Sequence, residues 1–591
     1  MKLSFAVHND EYIRVNKDNN SLKEVTTFFD NEFNLLFKDN QILIPFPIFM
    51  QRMDLINSFL HDKRNLIQLE TTEDFRSKIA LSPRYRESNS IDDVTEEEIT
   101  SKISSFGFKR IPTKHQFRNL QRLCALRACA SFSVPGAGKT TEALAFHAFH
   151  AKNQRTKLLV ISPINAFTSW DDEFQECYEV KNKFTRLRGS VEKITELLNQ
   201  DPQFIIINYD SLRSPEKFSL IKKLVLQNSD MTVILDESHK SKGQSISFIL
   251  SNLSPFISHK VILTGTPMPQ APSDLRPQFN FLYPNEYIQY DEELIEKFSP
   301  VYVRTTKRNL DLLDPIYKLN RIEPRPVFSQ FYNEYFAKPL SEGATLEDIL
   351  AVRSFKKAVL KLIKFISNPA SCADDIMRID PSLLNPILEE GSGAKIDALV
   401  DRATDLINQG EKVLIWSSFI NNVELLASRF GGKAEYIHGG VKTASNDEED
   451  FIELDTREAK IKRFKEDESC RVLVANPAAA AESISLHKHC NHALYLDRTY
   501  NAGQFLQSQD RIHRYIAKED EQQKYIDIFL LNIPHCVDFK VHDALNRKIE
   551  NMAAFLNDPS LISLHGFDYD LDQSMDDGAI DEVDKQEFYA R

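Results

Sequence analysis

The sequence lacks the features of a membrane-spanning or secreted protein. Its longest apolar run, near residues 42–50, falls short of the roughly 20 residues that span a bilayer and contains Pro45 and Pro47. The first ten residues, MKLSFAVHND, turn polar before a signal-peptide core could form. The seven cysteines form no CxxC pair, and their odd number indicates no disulfide framework. We therefore expect a cytoplasmic protein with reduced thiols and no membrane partner.

The sequence also lacks the basic charge of a typical nucleic-acid-binding protein. Its net charge is −13, whereas the phosphate backbone attracts basic surfaces. Much of the acidic excess is local, because residues 567–591 contain nine acidic and two basic residues. Such a tail is usually solvated, although it could instead compete with nucleic acid for a basic groove. Charge therefore neither supports nor excludes a nucleic-acid partner.

Apolar and β-branched runs alternate with helical patterns in two blocks of the chain. Runs of this kind predict parallel strands that are buried on both faces of a sheet. They lie at residues 158–162, 204–208, 232–236 and 260–265 in the first block, and at 412–418, 434–440, 471–477, 492–497 and 525–531 in the second. We predict five segments: an N-terminal domain of unknown role (1–100), a first α/β lobe (101–285), a helical connection (286–394), a second α/β lobe (395–551) and an acidic tail (552–591).

A glycine-rich segment, SVPGAGKTT, follows the short apolar run ACASF and precedes a helical pattern. Gly136 and Gly138 would let backbone N–H groups surround nucleotide phosphates, and the following helix would add its positive dipole end. Lys139 can reach the β- and γ-phosphates, and the hydroxyl of Thr140 can ligate Mg²⁺. Ser133 stands where this pattern expects its first glycine. The predicted ATP-binding residues are Ser133, Pro135, Gly136, Ala137, Gly138, Lys139, Thr140 and Thr141.

Two carboxylates, Asp236 and Glu237, follow the apolar run at residues 232–236. Ligands of open α/β sheets bind beyond the carboxyl ends of the strands. Asp236 is suited to hold Mg²⁺, and Glu237 to orient or deprotonate the attacking water. Alone, such a pair is more often a solvated turn. About a hundred residues after a phosphate loop, it indicates ATP hydrolysis with Mg²⁺.

From about residue 106 to residue 551, the chain resembles superfamily-two helicases, and specifically the Swi/Snf-type DNA translocases. The first block carries PTKHQFRNLQRL, VISPINAFTSWDDEF, INYDSLR, the DEAH-like DESH and LTGTPMPQAPSDL. The second block carries KVLIWSSF, HGG and NAGQFLQSQDRIHR. We predict an α/β fold of two RecA-like parallel-sheet lobes, with a helical insertion between them and an extra N-terminal α+β domain.

The resemblance also implies roles for individual residues. Gln116 matches the residue that recognises adenine, and Thr264–Gly265–Thr266 match the element that couples hydrolysis to movement. In the last motif, Gln507 joins the site and Arg511 and Arg514 are the implied arginine fingers. Such arginines offer positive charge to the γ-phosphate as negative charge develops. The implied contacts to nucleic acid are Ser162, Asn208, Tyr209, Ser417 and Ser485.

The chain departs from the family pattern at two places. Where the family has paired glycines and then G-x-N-L, this chain has Ala480, Ala481 and the sequence SISL. After Arg514 it continues Tyr515-Ile516-Ala517 instead of Ile-Gly-Gln. A lost glycine adds bulk where the backbone approaches a ligand closely. These changes put the coupling of hydrolysis to movement in doubt and indicate a divergent branch of the family.

The resemblance implies an ATP-dependent motor on nucleic acid, with double-stranded DNA as the favoured partner. The compact chain and the absence of eukaryotic accessory signatures favour work in genome maintenance or phage defence. Two alternatives stay open: a strand-separating DNA or RNA helicase, and a nucleotide-gated DNA-binding switch that barely steps. Residues 1–100 contain no convincing nuclease pattern, and no chromatin-reading signature occurs. The N-terminal domain is a candidate for binding a protein partner, and a plain packing domain is the alternative.

Overall fold

The computed structural model describes residues 2–18, 23–35, 37–88, 90–179, 183–333, 359–379, 381–442, 455–480, 484–515, 520–533 and 536–561, without the side chains of residues 378 and 379. These residues fall into two compact units, Met1–Asn309 and Leu310–Arg591.

The first unit begins with a small mixed sheet and five helices. The strands lie in the order β3-β2-β1-β4, with β1–β2 and β2–β3 antiparallel and β1–β4 parallel. Apolar residues that alternate along β1, β2 and β3 are buried, as expected for a sheet with one covered face. The elements are β1 (Lys2–His8), β2 (Tyr12–Lys17), α1 (Lys23–Phe33), β3 (Gln41–Pro45), α2 (Phe46–Gln51), α3 (Met53–Asp62), β4 (Gln68–Thr71), α4 (Glu73–Leu81) and α5 (Tyr85–Ser88).

The rest of the first unit is a seven-stranded parallel sheet that is flanked by helices. Its strand order is β11-β5-β10-β9-β6-β8-β7. The strands are β5 (Ala128–Ser131), β6 (Leu158–Ile161), β7 (Thr185–Arg186), β8 (Phe204–Ile207), β9 (Thr232–Asp236), β10 (His259–Leu263) and β11 (Tyr302–Val303). The helices are α6 (Glu96–Phe106), α7 (Lys114–Ala125), α8 (Lys139–His150), α9 (Phe167–Tyr178), α10 (Val191–Asn199), α11 (Pro215–Gln227), α12 (Gln244–Leu253), α13 (Arg276–Leu282) and α14 (Glu293–Phe298).

The second unit contains a six-stranded parallel sheet in the order β12-β17-β16-β13-β15-β14. The strands are β12 (Ile316–Ile322), β13 (Val413–Trp416), β14 (Ala434–Ile437), β15 (Val472–Ala475), β16 (His492–Tyr495) and β17 (Tyr525–Leu531). The helices are α15 (Pro326–Tyr332), α16 (Ala373–Ile379), α17 (Pro381–Glu389), α18 (Ala394–Asn408), α19 (Ile420–Phe430), α20 (Arg457–Glu466), α21 (Pro477–Ala480), α22 (Ala502–Gln509) and α23 (Val537–Phe555). Residues 359–367 are helical as well.

The structure confirms the predicted fold class, two parallel-sheet α/β lobes preceded by an α+β region. All nine apolar runs contain a strand. The connection predicted as helical (286–394) also supplies a strand to each sheet, since β11 pairs with β5 and β12 pairs with β17. Sequence reasoning missed both strands because β11 has only two residues and β12, IYKLNRI, alternates apolar and polar side chains instead of forming a continuous apolar run.

The proposed segment boundaries differ from the structure in three further places. Residue 100 lies inside α6, residue 551 lies inside α23, and the two compact units divide after Asn309. Most of the predicted acidic tail, residues 562–591, lies outside the described residues. Within the part of the chain that the structure describes, no helix combines the length and apolar character needed to cross a bilayer.

An aromatic contact joins the N-terminal sheet region to the first parallel sheet. The buried ring of Phe46, at the start of α2, packs against Phe256 with ring centroids 5.1 Å apart. The ammonium of Lys78 lies over both rings, 5.4 Å from the Phe46 centroid and 5.3 Å from the Phe256 centroid. The N-terminal region therefore shares a core with the first lobe.

Substitution Phe46→Ala should destabilise the first unit by about 3–5 kcal/mol, because it leaves a cavity and removes the aromatic contact. Urea unfolding of the full chain, monitored by limited proteolysis, measures the loss of unfolding free energy. Leu43→Ala is the matched control, because Leu43 lies in β3 but is 39% exposed. Equal effects of the two substitutions would contradict a shared core.

Candidate active site

Three neighbouring strands of the first parallel sheet end at the same level. In the pairing register, Leu263 of β10 lies opposite both Ser131 of β5 and Asp236 of β9. The glycine-rich loop, the carboxylate pair and the segment 264–266 therefore leave the sheet at one edge. A Cβ atom added to Gly265 would lie 3.1 Å from Cδ of Pro135, so two of these loops are in close contact.

The glycine-rich loop has the conformation that its glycines allow. Gly136 and Gly138 have φ angles of 87° and 84°, in the left-handed region that favours glycine. α8 begins at Lys139, immediately after the loop. The Lys139 ammonium donates to the carbonyl oxygens of Ser133 at 2.7 Å and Val134 at 3.3 Å. In this structure, carbonyl oxygens thus take the place that phosphate oxygens would take beside Lys139.

The hydroxyl groups of this loop have different surroundings. Thr140 is half-buried and its hydroxyl makes no hydrogen bond among the described residues. Thr141 is buried and donates to Glu173. The buried Ser133 hydroxyl accepts the N–H of Thr305 at 2.9 Å. Of the three, Thr140 keeps a side chain available for a ligand, whereas Ser133 and Thr141 can contribute main-chain groups.

The predicted adenine-recognition residue, Gln116, lies directly beside the loop. Its Nε2 donates to the carbonyl oxygen of Gly138 at 3.4 Å, and its Oε1 accepts the N–H of Thr113 at 2.8 Å as part of a capping box at the start of α7. The ring of the neighbouring His115 is 3.1 Å from the carbonyl oxygen of Ala137. The segment before α7 is therefore tied to the phosphate loop.

Asp236 is a half-buried carboxylate held by three donors. Its Oδ2 accepts the Ser162 hydroxyl and the Trp170 indole N–H, each at 2.8 Å, and its Oδ1 accepts the N–H of Glu237 at 3.0 Å. Burial raises the pKa of Asp236, and the nearby Glu237 charge raises it further, while the donors and the Lys139 charge oppose the shift. The Trp170 contact depends on the folding of distant segments, and its role at Asp236 was not predicted.

Glu237 connects the carboxylate pair to the segment 264–266. Its φ is 49°, a left-handed conformation that a glutamate rarely adopts. Its Oε2 lies 3.3 Å from Nδ1 of His239 and accepts the Thr264 hydroxyl at 3.4 Å. The Thr264 oxygen also lies 3.0 Å from Nδ1 of His239 and accepts the N–H of Thr266 at 3.1 Å. A movement of the Glu237 side chain would therefore change its contacts with the segment 264–266.

Thr140 and Asp236 are the residues of the site that could hold Mg²⁺. Thr140 offers a hydroxyl oxygen at the start of α8, and Asp236 offers a carboxylate within electrostatic range of Lys139. Oxygen donors of this kind suit Mg²⁺, which is usually bound by one or two protein groups together with substrate phosphates.

The predicted arginine fingers lie in the second unit, beyond the end of α22. Arg511 is 2% exposed, and it donates from Nε to the carbonyl oxygen of Gln507 at 2.9 Å and from Nη1 to that of Ile484 at 3.2 Å. Arg514 is half-buried and donates from Nε to the carbonyl oxygen of Asp510 at 2.9 Å. Their action on a phosphate stays a prediction.

Three of the five predicted nucleic-acid contacts use their hydroxyl groups inside the chain. Ser162 binds Asp236, Tyr209 donates to the Asp236 carbonyl oxygen at 2.8 Å, and the buried Ser417 donates to Asp497 at 2.5 Å. Because these side chains are buried, contacts there would need main-chain groups. Asn208 and Ser485 are half-exposed. Asn208 accepts a hydrogen bond from the Ser211 hydroxyl, and the Ser485 hydroxyl lies 2.9 Å from Nδ1 of His487.

The residues that depart from the family pattern are only partly described. Ala480 ends α21, and Ser485 follows the undescribed residues 481–483. Tyr515 is 50% exposed, whereas Ile516 and Ala517 lie outside the described residues.

Comparison with known families identifies two domains in the chain. Residues 132–361 match the SNF2-related domain, and residues 394–516 match the helicase conserved C-terminal domain. The chain belongs to the Snf2-related helicases. The first match includes the phosphate loop, the pair Asp236–Glu237 and the segment 264–266, and the second includes Arg511 and Arg514.

Similar proteins include several Snf2-type helicases. Chromodomain-helicase-DNA-binding protein 6 of Mus musculus is 21% identical over 80% of this chain and 19% of its own length. ATP-dependent DNA helicase DDM1 of Arabidopsis thaliana is 22% identical over 69% of this chain and 56% of its own length. DNA annealing helicase and endonuclease ZRANB3 of Homo sapiens is 22% identical over 73% of this chain and 39% of its own length. The chain thus spans between about a fifth and about half of the length of these relatives.

A solved structure, the Sulfolobus solfataricus SWI2/SNF2 ATPase core in complex with dsDNA, is 17% identical to this chain. The match covers 78% of this chain and 96% of the other, with a TM-score of 0.32.

One buried carboxylate of this Snf2-related chain was missed by sequence reasoning. Glu142, in the first turn of α8, is fully buried and accepts the Asn119 amide at 2.7 Å and the Ser131 hydroxyl at 2.9 Å. Burial raises the pKa of Glu142 to about 7, although both donors and the Lys139 charge oppose the shift. The glutamate therefore titrates near neutral pH beside the phosphate loop.

Glu142→Gln should change how stability depends on pH. The folded pKa is raised from 4.5 to about 7, so the folded state binds the proton more tightly, and stability falls as pH rises through this window. At pH 8 the variant should be more stable than the wild type by about 3 kcal/mol, and the difference should vanish near pH 4. Urea unfolding of both proteins between these pH values measures it. A difference that does not vary with pH would contradict the assignment.

Proposed function

We propose that this enzyme is a motor that uses ATP hydrolysis to move along double-stranded DNA. The observation that carries the proposal is the convergence of three loops at one edge of the first sheet. These are the phosphate loop around Lys139, the pair Asp236–Glu237, and the segment 264–266. A second parallel-sheet lobe with a helicase C-terminal domain follows in the same chain.

The proposed hydrolysis begins with Lys139. Its ammonium exchanges the carbonyl oxygens of Ser133 and Val134 for the β- and γ-phosphates of ATP. Thr140 and Asp236 would hold Mg²⁺, which neutralises phosphate charge during transfer. Glu237 then orients or deprotonates the attacking water.

The proposed coupling runs from Glu237 to the rest of the motor. Loss of the γ-phosphate changes what the Glu237 carboxylate faces, and Thr264 and His239 contact that carboxylate directly. We propose that the segment 264–266 passes this change on, and that Arg511 and Arg514 sense the same phosphate when the lobes close. Alternating grip by two lobes on the phosphate backbone would turn each ATP cycle into a step.

Two observations support the proposed track and setting. The similar proteins are named as DNA-binding proteins or DNA helicases. Seven free and buried cysteines suit a reducing cytoplasm. The N-terminal sheet region, which shares a core with the first lobe, is the proposed site for a protein partner. We propose work in genome maintenance or phage defence.

Closed circular duplex DNA should stimulate the ATPase activity more strongly than single-stranded DNA or RNA. Lys139→Ala should abolish nucleotide binding and turnover together, because it removes the phosphate-binding charge. Glu237→Gln should retain ATP binding but reduce turnover by ~10²–10⁴-fold, the usual contribution of a catalytic base. Steady-state ATPase rates and fluorescent-nucleotide binding measure both effects.

The other outcomes separate the alternatives. Stimulation by single strands or RNA alone would indicate a strand-separating helicase, which tailed duplexes would then test. Nucleotide-dependent DNA affinity without stimulated turnover would indicate a switch. Either result would overturn the proposed duplex motor.

A further inference from the structure

A polar cavity of about 310 Å³ lies within the first unit, between the N-terminal sheet region and the first lobe. Gln51 and Arg52, at the end of α2, form one side, and Ser247 of α12 and Asn280 of α13 form the other. Its volume is within the range of binding pockets for small molecules. None of the residues that line the cavity belongs to the phosphate loop, the pair Asp236–Glu237 or the segment 264–266.

Several polar groups in this cavity are available for a ligand. The Ser247 hydroxyl and the carboxamides of Asn280 and Gln51 make no hydrogen bond among the described residues. Ser251, on the same wall, differs because its hydroxyl donates to the Phe248 carbonyl oxygen at 2.9 Å. A hydroxyl and two carboxamides both donate and accept hydrogen bonds. They suit a ligand that also carries donors and acceptors.

The charged side chains of the cavity are already balanced. Arg276 pairs with Asp291 at 2.7 Å, and Glu286 pairs with Lys297 at 3.3 Å. The remaining cation, Arg52, lies 3.8 Å from Glu32. A phosphate or an acidic peptide would therefore meet carboxylates beside each arginine. This balance favours an uncharged ligand over a nucleotide.

One exposed aromatic residue lines the cavity, and a second is next to a lining residue in the sequence. Tyr287, which lines it, is 50% exposed, and Phe248, which follows Ser247 in α12, is 71% exposed. Exposed aromatic side chains are common anchors of protein–protein contacts, because they bury a large area on binding. A polar cavity that is lined by an exposed tyrosine suits an extended peptide whose side chains lie outside the pocket.

We propose that this cavity binds an uncharged, extended segment of a partner protein. The backbone N–H and C=O groups of the segment would bond to Asn280, Gln51 and Ser247, and an apolar side chain would rest on Tyr287. The bound segment would contact the N-terminal region and the first lobe together. The inference gives a location to the proposed protein partner, and it does not rest on the motor activity.

The test uses the full chain and a phage-displayed library of random peptides, with counter-selection against Ser247→Leu. Ser247→Leu fills the cavity, and Asn280→Leu removes one of its two carboxamides. The selected peptides should be poor in charged residues, and each substitution should weaken their binding by at least about tenfold in fluorescence anisotropy. Ser245→Leu is the matched control, because Ser245 is exposed on the same helix but does not line the cavity. It should bind like the wild type.

Two cavity variants are used, one in α12 and one in α13, so that a folding defect in one of them does not decide the test. Thermal melting identifies a variant that has unfolded, and peptide binding is then judged from the other variant. The proposal is overturned if no peptide depends on the cavity, or if deoxyadenosine monophosphate or oligothymidylate binds the wild type and loses affinity in both cavity variants. Because binding is measured without ATP or duplex DNA, a failure of the motor proposal would leave this result unaffected.

Discussion

The parallel register of β5, β10 and β9 is the constraint on which the ATP site depends. Because Ser131, Leu263 and Asp236 end their strands at one level, the loops that follow share one edge of the sheet. A shift of β10 by one residue would turn its side chains to the opposite face. It would also separate Gly265 from Pro135, whose close approach joins two of these loops. Buried apolar residues on both faces of these strands hold the register.

In each lobe, a serine that follows one strand donates a hydrogen bond to an aspartate at the end of another strand. In the first lobe, the Ser162 hydroxyl after β6 binds Asp236 at the end of β9. In the second, the Ser417 hydroxyl after β13 binds Asp497 after β16, at 2.5 Å. Burial raises the pKa of both aspartates, and the hydroxyl donors offset part of that cost. The hydroxyl groups of two serines that were predicted to contact nucleic acid therefore bind aspartates inside the lobes.

Much of the fold and of the candidate site follows from the sequence, because short-range patterns encode it. Continuous apolar runs such as LLVI and VLIW become central strands, and the glycine spacing sets the phosphate loop. Contacts between distant segments were not predictable in this way. Trp170 reaches Asp236 across 66 positions, and Asn119 reaches Glu142 across 23 positions. Local pattern carries no information on such pairings.

Limited access to water also explains why hydroxyl and amide groups surround the two carboxylates. A carboxylate that is shielded from water needs donors to stay charged, and the half-buried Asp236 has three of them. Glu142 has two, and burial raises its pKa to about 7. Burial raises the pKa of Asp236 as well, and both acids lie within electrostatic range of Lys139.

Triplex displacement tests the central claim of duplex translocation most directly. The full chain would be mixed with a duplex that carries a bound third strand, in the presence of ATP and Mg²⁺, and release of the labelled third strand would be followed over time. The account predicts release by the wild type and none by Glu237→Gln. ATP hydrolysis that duplex DNA stimulates, without release of the third strand, would contradict it.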